Sequence, residues 1–248
     1  MKQYGIIGYP LTQSFSPQYF AKMFQEQGIT DSNYSAFSLD NINAFEDLVV
    51  QYPNLCGLNV TIPYKQSILQ YVQHKSTIVQ AIGACNCLHF TPTGIHAYNT
   101  DVIGFKQSLT PLLQPHHTHA LILGTGGAAL AAAYVLTGLG IPYKYVSRHI
   151  SNASTILYKQ VTEQVIQAHK LIINASPSGM VPHEHTYPPL PYNAISTAHV
   201  LYDMVYKPAS TQFLIHGTAQ GATTKNGYEM LLIQAQASWD IWQGNMLQ

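Results

Sequence analysis

The chain has 248 residues, enough to bury a sizeable core as one large α/β domain or two smaller ones. Apolar residues make up 46%, and no apolar run approaches the length of a bilayer span, so neither disorder nor a membrane protein is expected. Eleven Lys and Arg balance eleven Asp and Glu with no basic stripe, which argues against nucleic-acid binding, an affinity that rests on clustered cations.

The first hundred residues alternate strand and helix. Tyr4–Gly8 reads as a strand, and Ser16-Pro17 opens a helix that runs to Gln27 and stops at Gly28. A strand over Tyr34–Leu39, a helix over Ile42–Gln51 and a short buried strand through Leu58–Thr61 follow. Pro63 suits the first turn of a helix that continues over Ile68–Val72, which puts Lys65 at a strand-to-helix corner. Cys85 to Tyr98 reads as a hairpin turning at Pro92-Thr-Gly94, with Asn86 inside its first strand and Cys85 and Cys87 on one face. A helix after Asp101 leads to the linker at Pro111 and Pro115. Strands at His119–Gly124, Tyr143–Ser147, Leu171–Asn174 and Val200–Tyr206, a small-residue helix from Gly126 and a short strand at Ala222-Thr-Thr then predict a parallel, doubly wound sheet. A long helix from Gly227 to Trp242 closes the chain.

The remaining composition gives no sign of metal binding or export. Cys56, Cys85 and Cys87 have no zinc-type second pair and read as small buried hydrophobes, so no metal is expected. The N-terminus lacks a signal-peptide pattern, and with the odd cysteine count it points to a reducing cytoplasm. His116, His117 and His119 fall in a connection and read as a solvated linker, as do His183 and His185 in their proline-rich loop.

Two features carry chemistry. Lys65 and Asp101, each at a strand-to-helix corner, read either as an ordinary salt bridge with Asp101 capping a helix, or as a pair that exchanges a proton with a substrate hydroxyl. Gly124-Thr-Gly126-Gly127-Ala128-Ala129 has the strand–turn–helix setting of a dinucleotide fingerprint. Gly124 would make the turn, Gly126 would let a pyrophosphate approach, and the helix N-terminus would face that anion. At the end of the next strand stands Ser147-Arg148, with no Asp or Glu, which suits the extra phosphate of NADP over the ribose hydroxyls of NAD.

Taken in order, these motifs resemble the shikimate dehydrogenase family over essentially the whole chain. They run from Gly8-Tyr-Pro-Leu-Thr-Gln-Ser14-Phe-Ser16-Pro17 through Asn59-Val-Thr61-Ile-Pro-Tyr-Lys65, Gly83-Ala-Cys-Asn86 and Asn99-Thr-Asp101 to the glycine loop. Ser147-Arg148, Asn174-Ala-Ser176-Pro-Ser-Gly179, Asp203-Met-Val-Tyr206, Asn226-Gly227 and Met230-Leu-Leu-Ile-Gln234 complete the series. The resemblance implies NADPH-dependent reduction of 3-dehydroshikimate to shikimate by a two-domain α/β protein, as a monomer or homodimer; a quinate/shikimate-type dehydrogenase using NAD and a non-catalytic NADP-binding regulatory protein are the alternatives. Residues 1–102, with 226–248 packing back on them, would form the substrate domain, and 103–225 a linker helix and a Rossmann-type NADP domain. It favours the proton-transfer reading of Lys65 and Asp101. Ser14 and Ser16 would hold the substrate carboxylate, and Asn59, Thr61, Asn86 and Gln234 its ring hydroxyls. Tyr206 and Gly227 would lie near substrate and nicotinamide with Met230 beside the ring, while Asn174 and Ser176 would flank the cofactor's ribose and phosphates. Turn roles for Asn174 and Ser176 and core packing for Met230 remain alternatives.

The chain also departs from the family pattern. Ile150-Ser-Asn152 lacks a second basic residue after Arg148, which weakens the expected NADP preference without reversing it. Cys87 stands for the usual Thr, Phe15 for a frequent Lys, and Tyr228-Glu229 for smaller residues.

Overall fold

A computed structural model describes residues 1–11, 15–150 and 152–245. The chain divides into two compact units, Met1–Thr100 with Ala235–Gln248, and Asp101–Gln234.

The first unit is built from β1 (Lys2–Gly8), α1 (Ser16–Glu26), β2 (Ser32–Ser38), α2 (Phe45–Gln51), β3 (Leu55–Val60), β4 (His74–Lys75), α3 (Thr77–Ile82), β5 (Cys87–Thr91) and β6 (Gly94–Tyr98). Its sheet runs in the order β2-β1-β3-β5-β6-β4. The β2, β1 and β3 strands are parallel, and the β5–β6 hairpin joins β3 antiparallel. β1 and β3 lie inside the sheet and are covered on both faces, which is why they read as near-continuous apolar runs. α1 buries Ser16, Phe20, Met23 and Phe24, the spacing of one helical face.

Two clusters cover the two faces. Ile7, Leu58, Val60, Leu88 and Cys85 belong to one, with Phe45, Leu48 and Ile68. Tyr4, Phe20, Tyr34, Cys87, Trp239 and Trp242 belong to the other. Trp242 lies flat on Gly57, where a Cβ would overlap its indole, and its Nε1 donates to the Leu88 carbonyl at 2.9 Å. That close approach lets the C-terminal half of the helix Tyr228–Trp242 close the aromatic face.

The second unit begins with α4 (Asp101–Leu109) and continues through β7 (Ala120–Leu123), α5 (Gly127–Gly138), β8 (Tyr143–Ser147), β9 (Thr155–Leu157), α6 (Glu163–Ala168), β10 (Leu171–Asn174), β11 (Val200–Asp203), α7 (Gln212–Ala219), β12 (Thr223–Lys225) and α8 (Tyr228–Trp242). The unit boundary at Gln234 falls inside α8. All six strands pair in parallel in the order β12-β11-β10-β7-β8-β9, the doubly wound arrangement with its reversal between β7 and β10. β7, β10 and β11 are buried throughout. α5 packs on α4 and buries Ala129, Ala131, Ala132 and Ala133. No helix among the described residues is long and apolar enough to cross a membrane.

Several expectations need correction. The helix expected over Ile68–Val72 is a single 3-10 turn, Ser67–Gln70, and Pro63 sits in the turn before it. The expected Ile42–Gln51 helix opens as a 3-10 turn before α2. Asn86 precedes β5 instead of lying within it, so Cys85 and Cys87 point into opposite clusters, though both are buried. His117 is not solvated: it is 5% exposed, accepts from Gln114 N at 2.8 Å and reaches the Ala198 carbonyl at 3.3 Å. α3, α6, α7, β4 and β9 were not anticipated, because runs this short carry too few apolar positions to show a period.

Candidate active site

In the first unit the candidate residues gather at the C-terminal end of β3. Val60 N donates to the Asn86 carbonyl at 2.8 Å and Cys85 N to the Lys65 carbonyl at 2.8 Å, so the turn carrying Lys65 is laced to the segment carrying Asn86. Thr61 N donates to Ile7 O at 2.9 Å, which fixes half-buried Thr61 beside the end of β1. Asn59 is buried at the end of β3. Its Oδ1 accepts from the Tyr34 hydroxyl at 2.8 Å, and its Nδ2 donates to Ser238 Oγ at 2.9 Å and to the Asn86 carbonyl at 3.3 Å. The Asn86 side chain accepts from Thr100 N at 2.7 Å and donates to Thr100 Oγ1 at 3.0 Å, which holds the residue preceding Asp101. Ser16 is buried as the first residue of α1, and its hydroxyl opposes the rise of the Tyr34 phenol. Burial holds that phenol well above its usual range. Ser14 lies outside the described residues.

In the second unit two groups form. The first surrounds the turn from β7 into α5. Gly124 has φ +114°, and a Cβ there would lie 3.0 Å from the Ala175 carbonyl. Gly126 caps α5 with φ −80° and ψ −176°, is exposed, and would carry a Cβ into open space. Any residue adopts that backbone, so nothing within the unit requires glycine at 126. The space beside it leaves room for a ligand to approach the turn, and Gly127 and half-buried Ala128 open the helix whose N–H groups would face an anion. Asn174, fully buried at the end of β10, accepts from Ser176 N and Oγ at 3.1 and 2.7 Å. Its amide donates to Ser178 O at 3.2 Å and Asp203 Oδ1 at 2.9 Å. Asn174 thus shapes the loop that rests on Gly124. Ser147 is half-buried at the end of β8, and Arg148 after it is exposed. Burial raises the neighbouring Tyr158 phenol, and the Arg148 charge opposes that rise.

The second group lies at the start of α4. Asp101 is buried as its first residue. Met230 and Gln234 of α8 pack on Gly104, where a Cβ would lie 2.5 Å from the Met230 carbonyl and 3.3 Å from Gln234 Cβ. Gly227 donates its N–H to Val205 O at 3.2 Å, and a Cβ on it would overlap Met204, so it sits against the segment that carries Tyr206.

Asp203 was legible as part of a motif but had no assigned role. It is fully buried, accepting from Asn174, from Val205 N at 2.9 Å and from Thr211 Oγ1 at 2.5 Å, and burial pushes its carboxyl up to about 6. Tyr34 and Ser238 carried no motif at all. The one sequence signal was a serine among the apolar positions of α8, beside Trp239, Ile241 and Trp242. Among the described residues no group of three or more His, Cys, Asp or Glu is arranged to hold a metal.

Comparison with known proteins bears on both units. A family model described as the shikimate dehydrogenase substrate binding domain matches residues 6–88. The shikimate dehydrogenase (NADP(+)) of Ignicoccus hospitalis is 34% identical over 252 residues, spanning 97% of this chain and 93% of its own length. The crystal structure of shikimate dehydrogenase from Aquifex aeolicus superposes with a TM-score of 0.88 at 28% identity, covering 100% of this chain and 94% of that one. The shikimate 5-dehydrogenase of Thermus thermophilus, solved with NADP(H) and shikimate, gives a TM-score of 0.86 at 26% identity, with 98% and 94% covered.

Proposed function

Because the chain belongs to the shikimate dehydrogenase family, we propose that it catalyses the reversible, NADPH-dependent reduction of 3-dehydroshikimate to shikimate on the route to aromatic amino acids. The observation that carries the cofactor reading is Gly126, a glycine that the fold itself does not need, at the one turn where a pyrophosphate would rest. Bound NADPH supplies a hydride.

The protein's own groups do the rest. Gly124, Gly126, Gly127 and Ala128 accommodate the pyrophosphate, Ser147 and Arg148 meet the ribose phosphate, and Asn174 and Ser176 line the cofactor's other side. Ser14 and Ser16 hold the substrate carboxylate, while Thr61, Asn86 and Gln234, with Asn59 beside them, select a ring bearing hydroxyls. Lys65 delivers a proton to the carbonyl oxygen as it becomes an alcohol, and Asp101 orients Lys65. Tyr206, Gly227 and Met230 border the reacting ring. The substrate domain is residues 1–102 with 226–248, and the NADP domain is residues 103–225. All three cysteines are free, which suits the cytoplasm. The working unit is a monomer or homodimer.

The test is nicotinamide absorbance with shikimate or quinate, each with NADP and NAD. Shikimate with NADP is expected to react fastest, and Lys65→Ala to lower kcat by about 10²–10⁴. Undiminished turnover by Lys65→Ala, or preference for quinate or NAD, would refute the assignment.

A further inference from the structure

An unbroken chain of uncharged hydrogen bonds crosses the interior of the first unit and passes through residues that no motif singles out. Tyr34 donates its hydroxyl proton to Asn59 Oδ1 at 2.8 Å. Asn59 donates to Ser238 Oγ at 2.9 Å and to the Asn86 carbonyl at 3.3 Å, and Ser238 Oγ meets Thr100 Oγ1 at 3.2 Å. Thr100 is in turn held by the Asn86 side chain. Tyr34, Asn59, Asn86, Thr100 and Ser238 are all buried.

The direction of these bonds matters. A phenol has one proton, and Tyr34 gives it to Asn59. That sets which end of the Asn59 amide faces Ser238 and Asn86, and both its N–H bonds are then committed inside the protein. A substrate hydroxyl would find no donor on Asn59.

We infer that Tyr34 and Ser238 are positioning residues of the substrate site, and that Asn59 acts through them and does not touch substrate. They hold Asn86 and Thr100 in the arrangement in which Asn86 binds a hydroxylated ring acid. This rests on the shikimate reading of that site.

Tyr34→Phe removes the hydroxyl and keeps the ring, which stacks on Phe20 at 4.3 Å and 12°. Ser238→Ala cuts the same chain at another point. Tyr4→Phe is the control, since it removes a hydroxyl from the same aromatic cluster, where its partner is Gln243 at 3.3 Å. For each variant KM is measured for shikimate and NADP, and shikimate affinity by titration calorimetry. Tyr34→Phe and Ser238→Ala are expected to weaken shikimate about tenfold, ~1.4 kcal/mol, with KM for NADP and the Tyr4→Phe control unchanged. Unchanged shikimate affinity in both variants, an equal rise in KM for NADP, or the same loss in Tyr4→Phe overturns the inference. Wild-type protein that neither binds nor turns over shikimate overturns the shikimate reading as well. An active wild type with indifferent variants overturns this inference alone.

Discussion

Gly124 and Gly126 stand two residues apart in one turn, yet replacing each by alanine should fail in a different way. At Gly124 the backbone has φ +114°, and the new Cβ would sit 3.0 Å from the Ala175 carbonyl and 3.3 Å from Ser176 N. An L-residue held in such a region costs about 1–3 kcal/mol, and the contacts are with backbone atoms that cannot swing aside. For a protein of this size that lowers Tm by about 2–12 °C. At Gly126 the backbone, φ −80° and ψ −176°, suits alanine, and its Cβ meets nothing within 4 Å. Loss of a glycine cap costs only about 0.5 kcal/mol. The methyl group would instead occupy the space a pyrophosphate needs, so KM for NADP should rise at least about tenfold, ~1.4 kcal/mol, with KM for shikimate unchanged. Thermal melts with and without NADP, followed by steady-state kinetics, separate the two. NADP should raise the Tm of wild type and Gly124→Ala more than that of Gly126→Ala. If Gly126→Ala keeps wild-type affinity for NADP, or melts as early as Gly124→Ala, the argument that a ligand alone demands this glycine is wrong.

Titration of the second unit supplies two more tests. Burial raises Asp203 from 3.8 to about 6, so its neutral form favours folding, and stability is lost as pH rises through that interval, by about 3 kcal/mol. At pH 8, Asp203→Asn should therefore melt no lower than wild type, while Asp203→Ala strands the donors of Asn174, Val205 and Thr211 and should melt several degrees lower; equal losses in urea titrations would contradict this. His117 and His199 have the opposite sign. Each accepts a backbone N–H at Nδ1, from Gln114 and Ser196, and burial lowers both, so the unfolded chain protonates first and stability is lost as pH falls below 6.5. In the Asp203→Asn background the urea midpoint should fall steadily from pH 7.5 to 5.5, and a flat profile would show that neither ring is locked neutral.

What a sequence can reveal depends on how far its cause reaches along the chain. β8 and β10 lie where they were predicted, Tyr143–Ser147 and Leu171–Asn174, and β10 is legible because a strand buried within a parallel sheet reads as an apolar run. The glycine turn was legible for the same reason, since strand, turn and helix are contiguous. α3 and α6, six residues each, were missed because one and a half turns hold no period. His117 was misread because the carbonyl it reaches belongs to Ala198, 81 residues on.

The residue types that would handle a polyol acid and a phosphorylated cofactor, and their order along the chain, were determined by the sequence alone, as was the α/β class. The structure alone decided that Asn59 has its amide committed to Tyr34, Asn86 and Ser238, the last of them 179 residues away, and that Asp203 carries the loop resting on Gly124. A hydrogen bond constrains two groups in space and leaves no trace in the spacing between them, so only the folded chain shows which asparagine faces outward and which is already held.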